Sequence, residues 1–132
     1  MLLFCLSMFF VTSIAFSQNL RENLDYINDQ FAKYNSYNTV FNIDTEYQAL
    51  VIYDDMGTVV CYFEDVEFDY SEESKNLFEI RCIDDDECID QKKLNEEEYS
   101  SGGIYVVELN GGNLSKVMEK LNEIKEIVLE ED

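Results

Sequence analysis

An acidic run is the sharpest cluster of chemically able side chains in this chain. Carboxylate oxygens are the ligands that hard cations such as Ca²⁺ prefer, and the run supplies several in succession. It lacks the alternating acids and the glycine of an EF-hand loop, so we expect a solvated turn and at most a weak cation site. The candidate ligands are Asp84, Asp85, Asp86 and Glu87.

Histidine is absent, which excludes Ser-His-Asp and Cys-His catalytic sites and zinc sites of the histidine type. No motif indicates a cofactor. Composition leaves open a pair of carboxylates acting as acid and base, as in glycoside hydrolases. Because 29 residues are Asp or Glu, close carboxylates are expected by chance, and we predict a protein that is not an enzyme. The carboxylates considered for such a pair are Glu64, Asp65, Glu67 and Asp69.

Three cysteines lie beyond the N-terminal segment, and an odd number in an oxidising compartment usually means one pair and one bystander. Residues 83–87 resemble a short acidic hairpin loop, which would place Cys82 and Cys88 opposite each other at a separation that a disulfide tolerates. Cys61 lies within an apolar strand, where a buried thiol acts as a small hydrophobe. We therefore predict a Cys82–Cys88 disulfide and a free Cys61. The alternative is that all three thiols are reduced core residues, in a chain that stays in the cytoplasm.

Residues 1–17 contain no charged side chain and are dominated by large apolar residues. Ala15-Phe16-Ser17 has small residues three before and one before a cut, which is typical of a signal-peptide cleavage site. We predict a signal peptide over 1–17 and a mature chain of 18–132. An uncleaved anchor is the alternative, although the apolar run is slightly short for a membrane span.

The mature chain would keep the whole formal charge of −20. Such a surface argues against binding nucleic acid or an anionic membrane, because both need a basic face. The plausible partners are a basic protein or a divalent cation. Acidity that serves only solubility is the simpler explanation.

Two helices are predicted from apolar residues at spacings of three and four. The first spans 19–34. The second begins near Leu114, with Asn113 or Ser115 as its N-cap. Its apolar stripe comprises Leu114, Val117, Met118, Leu121, Ile124 and Val128.

Between the helices the apolar period is two, which predicts strands. Residues 39–53 are apolar on both parities and predict one central strand. Asp54-Asp55-Met56-Gly57 predicts a turn with Gly57 at positive φ, followed by a returning strand over 58–63.

Further strands are predicted over 66–70, after a kink near 64–65, and over 77–83 and 104–109. We expect 87–91 to return antiparallel to 77–83. The segments 96–98 and 100–103 are predicted to form a polar loop.

The order of helix, strands and helix predicts one α+β domain over 18–132. It would contain an antiparallel meander of about four to six strands. Each helix has a single apolar stripe, so the economical arrangement is two layers with both helices on one sheet face.

The chain resembles the small exported proteins of unknown function of flavobacterial-type Gram-negative bacteria. The matching segments are Ala15-Phe16-Ser17-Gln18, Leu24-Asp25-Tyr26-Ile27-Asn28, Phe63-Glu64-Asp65-Val66, and Ile80-Arg81-Cys82 with Cys88. The resemblance implies a periplasmic or extracellular address, and it carries no site residue.

These observations favour an exported, non-enzymatic binding module of unknown specificity. One alternative is a periplasmic inhibitor or immunity-type protein that neutralises a basic enzyme, since an acidic face steers docking on a cationic target. The other is a carboxylate-dependent glycan hydrolase. A deep cleft with two carboxylates would favour the hydrolase, and a flat acidic sheet face would favour the binding module.

Overall fold

The computed structural model describes residues 2–35, 37–84 and 86–130, with side chains from residue 18 onward. Met1 and the side chains of the predicted signal peptide lie outside this description. The helices are α1 (Leu2–Tyr34) and α2 (Leu114–Glu130). The strands are β1 (Val40–Asp44), β2 (Ala49–Asp54), β3 (Gly57–Tyr62), β4 (Val66–Tyr70), β5 (Leu77–Cys82), β6 (Ile89–Lys93), β7 (Ser100–Gly102) and β8 (Ile104–Glu108).

All strand pairs are antiparallel, in one sheet of order β1-β2-β3-β6-β7 and a second of order β4-β5-β8. The chain crosses from one sheet to the other three times, at adjacent positions along the strands. β3 leads into β4 through the 3₁₀ turn Phe63–Asp65, β5 leads into β6, and β7 leads into β8 through Gly103. The strands thus form one bent meander between two helices, which confirms the α+β class. They number eight rather than four to six because residues 39–53 form two strands and residues 100–102 form a further one.

The buried faces of both sheets and both helices meet in one hydrophobic core. The ring of Phe31, on α1, lies 4.7 Å from that of Phe41 in the first sheet and 6.5 Å from that of Phe78 in the second. Burying one such side chain contributes about 1.5–3 kcal/mol. The predicted apolar stripe of α2 is buried throughout, from Leu114 to Val128.

Residues 39–53 form two strands, so the prediction of a single strand is wrong. The chain reverses at residues 45–48, where Asp44 Oδ1 accepts a hydrogen bond from the Tyr47 N–H and Gln48 takes φ 54°. The reversal exchanges the parity that faces the core, so Phe41 lies opposite Ile52. Apolar residues on both parities therefore marked a hairpin whose second strand is apolar on both faces.

The partner predicted for residues 87–91 is also wrong. β6 pairs with β3 on one side and β7 on the other, and not with β5. β7 in turn occupies residues that we expected to form a polar loop. This edge strand was not predicted because its residues are polar, as in the pair of Ser101 with Asp90, and therefore show no apolar alternation.

The predicted turn and cap are confirmed. Asp54 Oδ1 accepts hydrogen bonds from the N–H groups of Met56 (2.7 Å) and Gly57 (3.1 Å). Gly57 has φ +148°, and a Cβ there would lie 2.1 Å from the carbonyl oxygen of Lys92. At the start of α2, Asn113 Oδ1 accepts from the Lys116 N–H at 3.1 Å, as an N-cap does.

Candidate functional site

The structure brings Cys82 and Cys88 together, with Sγ atoms 2.08 Å and Cα atoms 5.8 Å apart. They do not face each other in a β-hairpin. Cys82 ends β5 and Cys88 precedes β6. Both strands pair with the continuous segment formed by β3 and β4, in which Val66 pairs with Cys82 and Cys61 pairs with Ile89. The bridge therefore closes the base of an excursion in the middle of a long strand, of which residues 83–84 and 86–87 are described.

The other neighbour shows the same interruption. Arg81 pairs with Ile104 and Ile89 with Gly102, so Gly103 alone stands opposite the excursion. The Cys82 N–H donates to the Gly103 carbonyl at 2.9 Å. By the loop-entropy model, closing so short a segment contributes roughly 2–3 kcal/mol. The bridge holds the acidic segment outside the sheet while pairing resumes on either side.

Cys61 is buried in β3 and has no disulfide partner. Burial raises the pKa of its thiol to about 12, because the apolar surroundings disfavour the thiolate. A thiol held neutral in this way is a poor nucleophile. Its location agrees with the role of core residue expected from the sequence.

The predicted cation ligands Asp84, Asp86 and Glu87 are exposed in the excursion, and Asp85 lies outside the described residues. Across the described parts of the chain, no group of three or more acids or cysteines is arranged to hold a metal ion. A weak cation site at Asp84, Asp85, Asp86 and Glu87 stays a prediction.

The carboxylates considered for acid–base chemistry lie on open surface. Glu64 and Asp65 are on the exposed side of the 3₁₀ turn, and Glu67 and Asp69 alternate outward along β4. Asp69 forms an ion pair with Arg81. This arrangement is that of a solvated face.

The outward face of the five-stranded sheet carries the most distinctive surface. Leu50, Ile52 and Val59 point into the core, so the alternate residues of β2 and β3 point away from it. We call this outer surface the tyrosine face; it comprises Tyr47, Tyr53, Tyr62 and Tyr99, with Val51 and Val60 among them.

The tyrosine face forms an open depression of about 410 Å³. Its lining contains one carboxylate, Asp44, and one ammonium group, Lys92. Lys92 Nζ lies 5.6 Å from the centroid of the Tyr99 ring, within the range of a cation–π contact. Rigid aromatic rings with polar tips suit binding, whereas acid–base hydrolysis needs a second carboxylate that this lining does not supply.

Sequence reasoning missed this face because it predicted one strand over residues 39–53, in which Tyr47 and Tyr53 would lie on the same side as Phe41. The choice of tyrosine or phenylalanine indicated which of these residues are exposed. Phe41 is buried, whereas Tyr47 is 65% exposed and Tyr53 46% exposed. A hydroxyl at each exposed position, against a plain ring in the core, distinguishes the two faces.

Most of the negative charge has no internal counter-charge. Among the described residues, ion pairs engage the carboxylates of Asp69, Glu79 and Glu123. The buried polar residues are Asn23 and Thr39, so every described Asp and Glu retains contact with solvent. The acidic surface is therefore open to a partner.

Among the residues whose side chains the structure describes, from residue 18 onward, no helix is long and apolar enough to cross a membrane. Comparisons with protein-family models, curated proteins and solved structures find no match to the chain.

Proposed function

We propose that the chain is an exported acidic module that acts by binding a basic protein, without catalysing a reaction. One observation carries the proposal: the formal charge is −20, and ion pairs within the described residues engage few of the carboxylates. Unpaired surface charge of this size produces a long-range field that attracts and orients a cationic partner.

The export part of the proposal is supported by the apolar, uncharged segment 1–17 and by the cysteine pair. Disulfides persist in oxidising compartments, and Cys82 and Cys88 lie at bonding distance. The resemblance to flavobacterial exported proteins points to the same periplasmic or extracellular address. Expression in a Gram-negative host, followed by intact-mass measurement, should give an exported protein that begins at Gln18 or within a residue or two. A soluble product that retains residues 1–17 would contradict cleavage.

The binding part is tested by affinity capture from the native periplasm or medium with the exported protein as bait, followed by association kinetics. We expect a basic partner whose association rate falls steeply as salt rises past about 0.1 M, where the screening length is about 10 Å. An acidic partner, or a rate that does not respond to salt, would overturn steering. Loss of the partner's enzymatic activity on binding would identify the narrower inhibitor or immunity-type function.

A further inference from the structure

We infer that the tyrosine face is the docking surface of this module, and that it receives arginine and lysine side chains of the basic partner. The inference rests on the proposed function and names the part of the surface that performs it.

The register of the sheet assembles the face from strands distant in sequence. Val40, Tyr53, Thr58 and Lys92 stand in one row across four strands, because each is the pairing partner of the next. The next outward row contains Val51 and Val60, and the row beyond it contains Asp44, Ala49 and Tyr62. Tyr53 and Tyr62 therefore project from a hydrogen-bonded platform, and little conformational entropy is lost when a partner covers them.

The chemistry of the face selects cations. Lys92 already places its ammonium group over the Tyr99 ring, so the face holds one cation of its own. Acids flank the rings: Asp44 lies in the depression, Glu46 precedes Tyr47, and Glu96, Glu97 and Glu98 lead into Tyr99. An incoming guanidinium group could stack on a ring while a neighbouring carboxylate balances its charge.

Charge also argues against the other occupants of an apolar sheet face. A second copy would bring the same acids against these acids, at a formal charge of −20 on each chain. An anionic surface would be repelled for the same reason. A basic protein segment is the occupant that matches both the rings and their acidic surroundings.

The test measures binding of a nona-arginine peptide to the exported protein by calorimetry at about 0.1 M salt, where long-range attraction is partly screened. Tyr53→Ala is compared with Tyr70→Ala, a matched control on the second sheet; the two tyrosines are 46% and 50% exposed. Tyr53→Phe keeps the ring. Unchanged circular dichroism and melting temperature establish that each variant is folded.

We expect Tyr53→Ala to weaken binding about 3- to 10-fold, the size of a cation–π contact at a partly desolvated site. Tyr53→Phe and Tyr70→Ala should stay within about twofold of the parent. Equal losses for Tyr53→Ala and Tyr70→Ala, no loss for either, or dimerisation through this face would overturn the docking surface while leaving the proposed function intact. If the parent protein binds neither the peptide nor any basic protein, the docking surface and the proposed function are both overturned.

Discussion

The side chain of Asn28 closes the exposed edge of the first sheet, and its removal should destabilise the fold measurably. Asn28 Nδ2 donates to the Phe41 carbonyl at 3.0 Å, and the Phe41 N–H donates to Asn28 Oδ1 at 2.7 Å. β1 pairs with β2 on its other side, so the amide takes the place of a neighbouring strand. The substitution Asn28→Ala removes both bonds without touching the apolar core.

The magnitude follows from the two backbone groups that lose their partners. A buried, unsatisfied donor or acceptor costs about 1–3 kcal/mol. Because this site is partly buried, we take the lower end for each group, about 2–3 kcal/mol together. Alanine then recovers up to about 0.7 kcal/mol through its higher helix propensity. The expected net loss in the free energy of unfolding is about 2 kcal/mol.

Urea unfolding of the exported protein, followed by circular dichroism, measures this loss. Asn122→Ala is the control, because the Asn122 amide bonds to the Met118 carbonyl within α2 itself. It should change stability by no more than about 0.5 kcal/mol. Asn28→Asp keeps an acceptor for the Phe41 N–H but donates to the carbonyl only when protonated. Its loss relative to the parent should therefore be smaller near pH 4 than at pH 7. If Asn28→Ala costs no more than Asn122→Ala, the edge does not depend on this amide.

Three further predictions concern the cysteines and one turn. Thiol labelling of the denatured, non-reduced exported protein should find one reactive thiol, at Cys61; three thiols, or a peptide joining Cys61 to another cysteine, would contradict the Cys82–Cys88 bridge. Since burial raises the Cys61 pKa from 9.0 to about 12, its contribution to stability should be complete below pH 9 and lost as pH rises towards 12. Cys61→Ala should reduce the fall in urea-measured stability over that range, to which the part-buried Tyr105, whose pKa is also raised, contributes as well; an unaltered pH dependence would refute the assignment. Gly57→Ala should cost more than about 3 kcal/mol, because the backbone is at positive φ and the new Cβ would meet the Lys92 carbonyl; Gly102→Ala, whose Cβ would meet nothing within 4 Å, is the control, and equal unfolding midpoints would contradict the argument.

The Cys82–Cys88 pair was predicted from a hairpin that the structure does not contain, yet the two cysteines do meet. A short separation makes contact possible in any tight excursion, with or without that hairpin. The sequence did not show which strands pair on either side of the cysteines, because β6 pairs with β3, far earlier in the chain. Only the register on both sides shows that the bridge closes an excursion in a long strand.

The tyrosine face likewise needed the tertiary structure. Its rings come from the turn after β1, from β2 and β3, and from the segment before β7, and the reversal at residues 45–48 decides that Tyr53 points outward although Phe41 is buried. Period-two patterning identifies which residues share a strand face, but it does not state which face is buried when both are apolar.

The sequence by itself determined the α2 stripe, the turn at Asp54–Gly57, a helix cap at Asn113 or Ser115, the α+β class and the acidic charge. Each depends on residues a few positions apart or on composition, and local sterics and periodicity act at that range. Strand partners, the division of the meander into two sheets and the exposed tyrosine surface were decided by the tertiary structure. They depend on contacts between distant segments competing for one core, and no local pattern encodes the outcome of that competition.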